Sequence, residues 1–231
     1  MFSEWFLLLS LGFGLGFMHA LDADHVMAVS SLANQKPSMM RTLHFSLHWA
    51  LGHGSILMIC GILLLALGIT IPSKLQHLAE ISVGLLLIGL GVLCFWQFRR
   101  EKITLTQHRH GNMTHIHWQT EHHTHNKKHD QNDPLFNKHQ PVMVGMVHGL
   151  AGSAPVIALI PAVASGQILI GIFYLLFFSI GMMLSMLFFG VGFSWIQTYL
   201  QQHAQQVFMW NRYLIAGASV VVGSVWLWQT V

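Results

Sequence analysis

Hydrophobic residues in this chain form six long runs that are separated by polar connections. The runs cover Glu4–Leu32, Leu43–Ile69, Leu78–Phe98, Val142–Ala164, Ile168–Ile196 and Val207–Trp228. A helix needs about 20 apolar residues to cross a bilayer, so each run predicts a transmembrane helix. Pro155 and Pro161 lie inside the fourth run and predict a kink or an interruption there.

The composition supports a membrane protein. Apolar residues make up 53% of the chain and charged residues 8%, whereas soluble proteins carry about 25% charged residues. We therefore predict an all-α, polytopic membrane protein in contact with lipid. Both cysteines, Cys60 and Cys94, lie in apolar runs and are interpreted as small buried residues rather than as a disulfide or a metal site.

The distribution of basic residues predicts the orientation. In a six-span arrangement one side of the membrane receives Lys36, Arg41, Arg99, Arg100, Lys102, Arg109, Lys127, Lys128, Lys138 and Arg212. Only Lys74 falls on the other side. Because basic loops stay in the cytoplasm, both termini are expected outside a bacterial inner or plasma membrane, with the long middle loop inside.

That middle loop divides the chain into three parts: residues 1–98, the loop 99–141, and residues 142–231. It carries the nine histidines His108, His110, His115, His117, His122, His123, His125, His129 and His139. Few apolar residues accompany them, so the loop is expected to be disordered without metal. Dense histidine tracts bind divalent metals; the alternative is a solvated linker.

The two membrane parts resemble each other at an offset of 129 residues. Gly16-Phe-Met-His19-Ala-Leu21 matches Gly145-Met-Val-His148-Gly-Leu150, and Leu51-Gly52 matches Ile180-Gly181. A three-helix unit emerges inverted in its second copy, and inverted repeats with broken helices are common in secondary transporters. We therefore predict two inverted three-helix repeats, with His19 and His148 related by the symmetry.

The stretch His19-Ala-Leu-Asp22-Ala-Asp24-His25 places four ionisable groups next to an apolar run. Such groups are costly at membrane depth and need a reason; imidazole with carboxylate suits divalent transition metals. On a regular helix Asp22 shares an arc of about 120° with both histidines, whereas Asp24 points away. A broken first helix would place both acids near the site; the alternative is an interfacial turn with solvated acids.

Further histidines lie in the second and fourth runs. His53 is flanked by glycines that permit close helix approach, and His48 lies near it on the same helix. His148 is the counterpart of His19. The candidate metal ligands are therefore His19, Asp22, Asp24, His25, His53, His148 and His48.

Several classes of function are excluded by missing motifs. The chain has no H-E-x-x-H metalloprotease motif and no G-x-x-x-x-G-K-[ST] phosphate loop. No nucleic-acid-binding module is evident. We therefore expect neither an enzyme with catalytic residues nor a bound cofactor, and the metal would be the substrate.

The motif His19-Ala-Leu-Asp22-Ala-Asp24-His25 resembles the H-A-x-D-A-D-H signature of the nickel/cobalt transporter (NiCoT/NicO) family. This resemblance implies that His19, Asp24 and His25 take part in metal selection and transport. Leu51-Gly-His53-Gly-Ser55 is similar to the second motif of that family. The second-half run His148-Gly-Leu-Ala-Gly-Ser-Ala154 resembles the shorter, urease-accessory-type permeases of the same group.

The His-rich loop, in contrast, is similar to that of the six-span nickel/cobalt efflux branch, so import and export both stay open. The resulting hypothesis is transport of Ni²⁺ or Co²⁺, with a metallochaperone or a second copy of the chain as candidate protein partners. One alternative is a membrane metal chaperone or sensor that uses the loop. Another is a thiol-electron carrier, which needs cysteines in the first and fourth spans, where this chain has none.

Overall fold

A computed structural model describes residues 2–35, 38–100, 103–110, 113–120, 140–151, 154–164 and 166–231. In chain order its elements are α1 (Phe2–His19), α2 (Ala23–Gln35), α3 (Met39–Leu67), α4 (Ser73–Arg100), β1 (Ile103–His110), β2 (Met113–Thr120), α5 (Gln140–Leu150), α6 (Ala154–Ala164), α7 (Ile168–His203) and α8 (Gln205–Thr230).

Long apolar helices dominate the fold. The helices α3, α4, α7 and α8 are each long and apolar enough to cross a membrane, and the bent pair α1–α2 provides a fifth candidate span. The large apolar side chains exposed along these helices are suited to contact with lipid. The protein is therefore a multi-pass membrane protein, as its composition predicts.

The predicted break in the first hydrophobic run is confirmed. Helix α1 ends at His19 and α2 begins at Ala23, with an angle of 53° between them. The turn is closed by backbone hydrogen bonds from Leu21 to Met18 and from Asp22 to His19, each 3.0 Å long. The break therefore falls inside the cluster of ionisable residues.

The fourth hydrophobic run forms two short helices, α5 and α6, of 11 residues each. Helix α5 ends at Leu150 and α6 begins at Ala154. Pro155 is the second residue of α6, where its missing N–H removes no helical hydrogen bond. Pro161 lies inside the same helix, so the interruption falls before both prolines.

Residues 103–110 and 113–120 of the His-rich loop, which the composition predicts to be disordered, are assigned to β1 and β2. These strands form an antiparallel pair whose register sets Leu105 opposite Trp118 and His108 opposite His115. Threonine, isoleucine and tryptophan favour strands. These residues lie among the histidines, so the segment has a local preference for strand although it is polar on average. The remainder of the expected disordered segment, including residues 121–139, lies outside the described residues.

Close helix contacts recur at the spacing found in the sequence. Gly16 of α1 packs on the backbone carbonyl of Phe178 in α7, and Gly145 of α5 packs on the backbone carbonyl of Trp49 in α3. A Cβ at either glycine would collide with that carbonyl. The two contacts are related by the repeat offset, because Gly145 lies 129 positions after Gly16 and Trp49 lies 129 positions before Phe178. The glycine is in the first half in one contact and in the second half in the other.

A second pair of contacts has the same relation. Gly181 of α7 packs on the carbonyl of Phe13 in α1, and Gly52 of α3 packs on the carbonyl of Val142 in α5. Gly12 packs on Tyr174 and Gly16 on Phe178, so α1 runs parallel to α7. Gly145 packs on Trp49 and Gly149 on His53, so α3 likewise runs parallel to α5. Only a residue without a side chain permits such an approach of two backbones.

The connectivity gives the helix bundle two ends. We call the end at which α2, α4 and α7 end and α3, α5 and α8 begin the basic face, and the end at which α3 and α6 end and α4 and α7 begin the opposite face. His53 lies midway along α3, about 21 Å from each end at 1.5 Å per residue. Helix α2 runs from the break to the basic face and packs against α4, α7 and α8.

Candidate metal centre

Three imidazoles meet where α1, α2 and α3 come together. His19 ends α1, His25 lies in the first turns of α2, and His53 lies in the middle of α3. The ring centroids are 4.8 Å apart for His19 and His25, 5.4 Å for His19 and His53, and 5.2 Å for His25 and His53. All three residues are buried, so the break in the first span positions two imidazoles against the third.

A fourth imidazole lies beside this group. His148 ends α5, close to the interruption of the fourth run, and its ring centroid is 5.6 Å from that of His25. Its Nδ1 is 3.1 Å from the backbone carbonyl oxygen of Val144, to which it can donate. His148, which lies at the repeat offset from His19, is therefore part of the same buried group of imidazoles and is contributed by the other half of the chain.

The two acids contact the imidazoles. Asp22 Oδ2 lies 2.8 Å from Nδ1 of His19, and Asp24 Oδ1 lies 3.0 Å from Nδ1 of His25. A carboxylate that accepts a hydrogen bond from Nδ1 fixes the tautomer and leaves Nε2 free as a ligand, which is the usual arrangement around protein-bound metals. In this geometry the carboxylates orient the rings.

The break also separates the environments of the two acids. Asp24 is buried beside His25, whereas the Asp22 side chain is 45% exposed. The regular-helix interpretation is therefore correct in placing Asp22 with the histidines, because Asp22 contacts His19, and wrong in turning Asp24 away. The turn at residues 20–22 resets the helical phase, so both carboxylates reach an imidazole.

The ring nitrogens that face the centre lack partners. Nε2 of His19, His25 and His148 and both ring nitrogens of His53 are buried and form no hydrogen bond with any described residue. Leaving buried polar atoms unpaired is costly, so a set of them in one place indicates a ligand. The donor set contains imidazole and no thiolate, which suits nickel, cobalt, zinc or copper.

The spacing of these nitrogens fits one ion after a small contraction. One ligand nitrogen from each of His19, His25 and His53 lies within 4.8 Å of the other two. Nitrogens bound tetrahedrally to a single ion at about 2.0–2.1 Å lie about 3.4 Å apart. Each ring nitrogen would therefore have to move inward by up to about 0.8 Å for the three to coordinate one ion.

Two aromatic side chains that sequence reasoning missed enclose the centre. The Trp49 ring stacks on His25 at 5.5 Å and meets His148 edge-on at 4.9 Å. Phe178 stacks on His19 at 5.8 Å. Trp49 and Phe178 are 129 positions apart, so extending the match at Leu51 and Ile180 two residues back would have found them.

His48 is not brought into this group. Its ring lies 3.9 Å from that of His44, centroid to centroid, and its Nδ1 is 2.8 Å from the backbone carbonyl oxygen of His44. On α3 the His48 side chain points away from the stripe that carries Trp49 and His53. The other six candidate ligands, His19, Asp22, Asp24, His25, His53 and His148, form one connected set.

Comparison with known proteins gives the chain a family. Residues 8–225 match the family described as the cytochrome c biogenesis protein transmembrane region. The urease accessory protein UreH of Bacillus sp. (strain TB-90) is 30% identical over 188 residues, which are 79% of this chain and 74% of that protein. No solved structure matches the chain.

A second relative, which matches a shorter part of the chain, is named as a nickel transport protein. The high-affinity nickel transport protein of Cupriavidus necator (strain ATCC 17699) is 29% identical over 73 residues, which are 31% of this chain and 21% of that protein. The UreH match extends over most of the present chain. The protein therefore belongs to the cytochrome c biogenesis transmembrane-region family and to the nickel/cobalt permeases whose motif it shares.

Proposed function

We propose that this protein transports a divalent transition-metal ion, Ni²⁺ or Co²⁺, across the bacterial inner membrane. The observation that carries the proposal is the group of buried imidazoles midway along the membrane helices, with ring nitrogens that no described residue pairs. Unpaired polar side chains at membrane depth cost free energy, so their presence in one place indicates that they bind a ligand. One of the two curated relatives is named as a high-affinity nickel transport protein, which favours nickel.

In the proposed site His19, His25 and His53 bind the ion, and His148 from the other half completes the coordination. Asp24 and Asp22 hold His25 and His19 in the ligand tautomer and offset part of the charge of the cation. Metal binding requires neutral imidazole. The four ligands come from the ends or centres of four helices, so relative motion of the two halves would loosen the site.

The proposed architecture has six spans, with α5 and α6 as a broken fourth span opposite the broken first span. The paired glycine contacts at an offset of 129 support two inverted repeats. The arrangement of basic residues supports placing the basic face in the cytoplasm and both termini outside. The three units are then residues 1–98, the His-rich segment 99–141 and residues 142–231.

A metal chaperone or sensor that acts through the His-rich loop is the second candidate. The nine histidines between positions 108 and 139 favour metal binding by this loop. Deleting residues 107–139 separates the two functions, because a transporter should retain part of its flux and a chaperone should lose all activity.

A thiol-electron carrier would suit the family description, but its chemistry needs a cysteine pair in the broken spans. The chain has only Cys60 and Cys94, and these lie in α3 and α4. Neither broken span can therefore carry such a thiol, and the metal transporter is the better interpretation.

The test is to measure cell-associated nickel, cobalt and zinc with and without expression of the protein. We expect a change for nickel or cobalt, an increase indicating import and a decrease indicating export. His19→Ala and Asp24→Ala should abolish it. His203→Ala is a matched control, because His203 is exposed and its Nδ1 contacts a carbonyl four residues back, as in His148. Unchanged flux in His19→Ala and Asp24→Ala would contradict the assignment.

A further inference from the structure

Buried polar side chains continue from the metal centre toward the basic face. On α3, Thr42 and Ser46 are buried and precede His53 in the stripe Thr42, Ser46, Trp49 and His53. The spacings of four, three and four residues place these positions on one face of the helix. The stripe therefore leads from the basic end of α3 to the imidazoles.

A matching stripe lies on α7. Gly190, Ser194 and Gln197 are buried at spacings of four and three residues. A Cβ at Gly190 would lie 2.7 Å from Oγ of Ser46 and 3.2 Å from Cγ2 of Thr42. Helix α7 runs antiparallel to α3, so the two polar stripes face each other between the centre and the basic face.

Except for Thr42, whose Oγ1 donates to the backbone carbonyl of Ser38 at 3.1 Å, the serine and glutamine side chains of these stripes lack protein partners. Oγ of Ser46, Oγ of Ser194 and both amide atoms of Gln197 are buried and form no hydrogen bond within the described part of the chain. All three side chains have no exposed surface. Buried groups of this kind are normally paired with protein, water or a ligand, and polar side chains at membrane depth mark ion pathways.

The other side of the metal centre is different. The positions that correspond to Ser46 and Ser194 at the repeat offset are Leu175 and Leu65. Leu175 belongs to an apolar cluster with Leu57, Ala158, Leu159, Tyr174 and Phe178, and Leu65 packs against it. The polar stripe is therefore confined to one side and is not a product of the repeat.

We propose that Thr42, Ser46, Ser194 and Gln197 line a passage between the metal centre and the basic face. This passage is closed in the present conformation, where Gly190 packs on Ser46, and fills with water when α3 and α7 move apart. The apolar cluster seals the other side in this conformation. The passage would take a partly hydrated divalent cation, because neutral hydroxyl and amide oxygens can replace water around it without trapping it. That ions move through this passage rests on the proposed function, whereas the entry of water into the passage does not.

The test is the accessibility of introduced thiols in membrane vesicles. In a Cys60→Ser, Cys94→Ala background, Ser46→Cys and Ser194→Cys are compared with Leu175→Cys, the residue that corresponds to Ser46. A small charged methanethiosulfonate reagent should label the first two at least about tenfold faster, because thiolate forms readily only where water reaches. Equally slow labelling at all three positions would contradict the passage. Equally fast labelling would contradict the claim that the apolar cluster excludes water from the other side.

This measurement needs no metal transport, so it separates the passage from the proposed function. For the ion itself, Ser194→Leu installs the residue found at the corresponding position 65. We expect at least a tenfold loss of flux for the transported metal, while purified protein still binds Ni²⁺ at the centre. Ser224→Leu, at an exposed serine of α8, should leave flux unchanged. Full flux in Ser194→Leu would remove these residues from the ion route.

Discussion

The two halves of the chain supply the proposed centre in different ways. The first half contributes His19 and His25, each with Nδ1 against a carboxylate. The second half contributes His148, with Nδ1 at a backbone carbonyl, and has Ala154 where the first half has His25. A carboxylate raises the basicity of the imidazole more than a carbonyl does, so the first half should dominate affinity.

The largest expected effect comes from His25, a ligand whose counterpart in the second half is Ala154. His25 contacts the rings of His19, His53, His148 and Trp49. His25→Ala should lower metal affinity by more than about 100-fold, because even partners of ligands cost about 10–100-fold. Isothermal titration of purified protein with Ni²⁺ measures this loss.

His148→Ala is the paired measurement. It removes one ligand from the half that we expect to contribute less, so its loss of affinity should be clearly smaller than that of His25→Ala. Losses of equal size would contradict the assignment of a dominant first half.

The next prediction compares the contributions of the two acids, Asp24 and Asp22, to metal affinity. Asp24→Asn keeps the size of the side chain but removes its charge from a buried contact with His25, and it should reduce nickel affinity by about 10–100-fold. Asp22→Asn should cost less than tenfold, because the Asp22 side chain is 45% exposed and water screens its charge. The same titration applies, and a larger effect at Asp22 would reverse the ranking.

The smallest expected effect concerns the glycine contacts that pack helices of the two halves against each other. Gly16→Ala and Gly145→Ala should each lower stability by about 1–3 kcal/mol, because each Cβ would strike a backbone carbonyl of the other half. Gly14→Ala is the control, since no atom lies within 4 Å of a Cβ there. Thermal unfolding in detergent measures all three, and a neutral Gly145→Ala alone would show that only the first contact is tight.

Much of the site is readable from the sequence because it is local. Four ionisable residues within seven positions stand out beside an apolar run, and the offset of 129 residues pairs His19 with His148. Apolar runs of sufficient length determine the membrane class, since hydrocarbon leaves few other structures. These features need no knowledge of how the helices pack.

The hairpin shows where composition misleads. The polarity of the loop predicts disorder, whereas strand preference and cross-strand pairing depend on which residues alternate and on the register between two segments. Average composition contains neither quantity.

The sequence by itself determined the membrane class, the ligand types and the repeat offset. The sequence also predicted a break in the first helix, but only the tertiary structure decided that it lies at residues 20–22. The tertiary structure likewise decided that Asp24 is buried while Asp22 is half-exposed, and that His48 lies outside the centre. It also decided that Trp49 and Phe178 enclose the imidazoles and that Ser46 faces α7. These outcomes depend on the phase of each helix and on contacts between residues more than 100 positions apart, which no local pattern encodes.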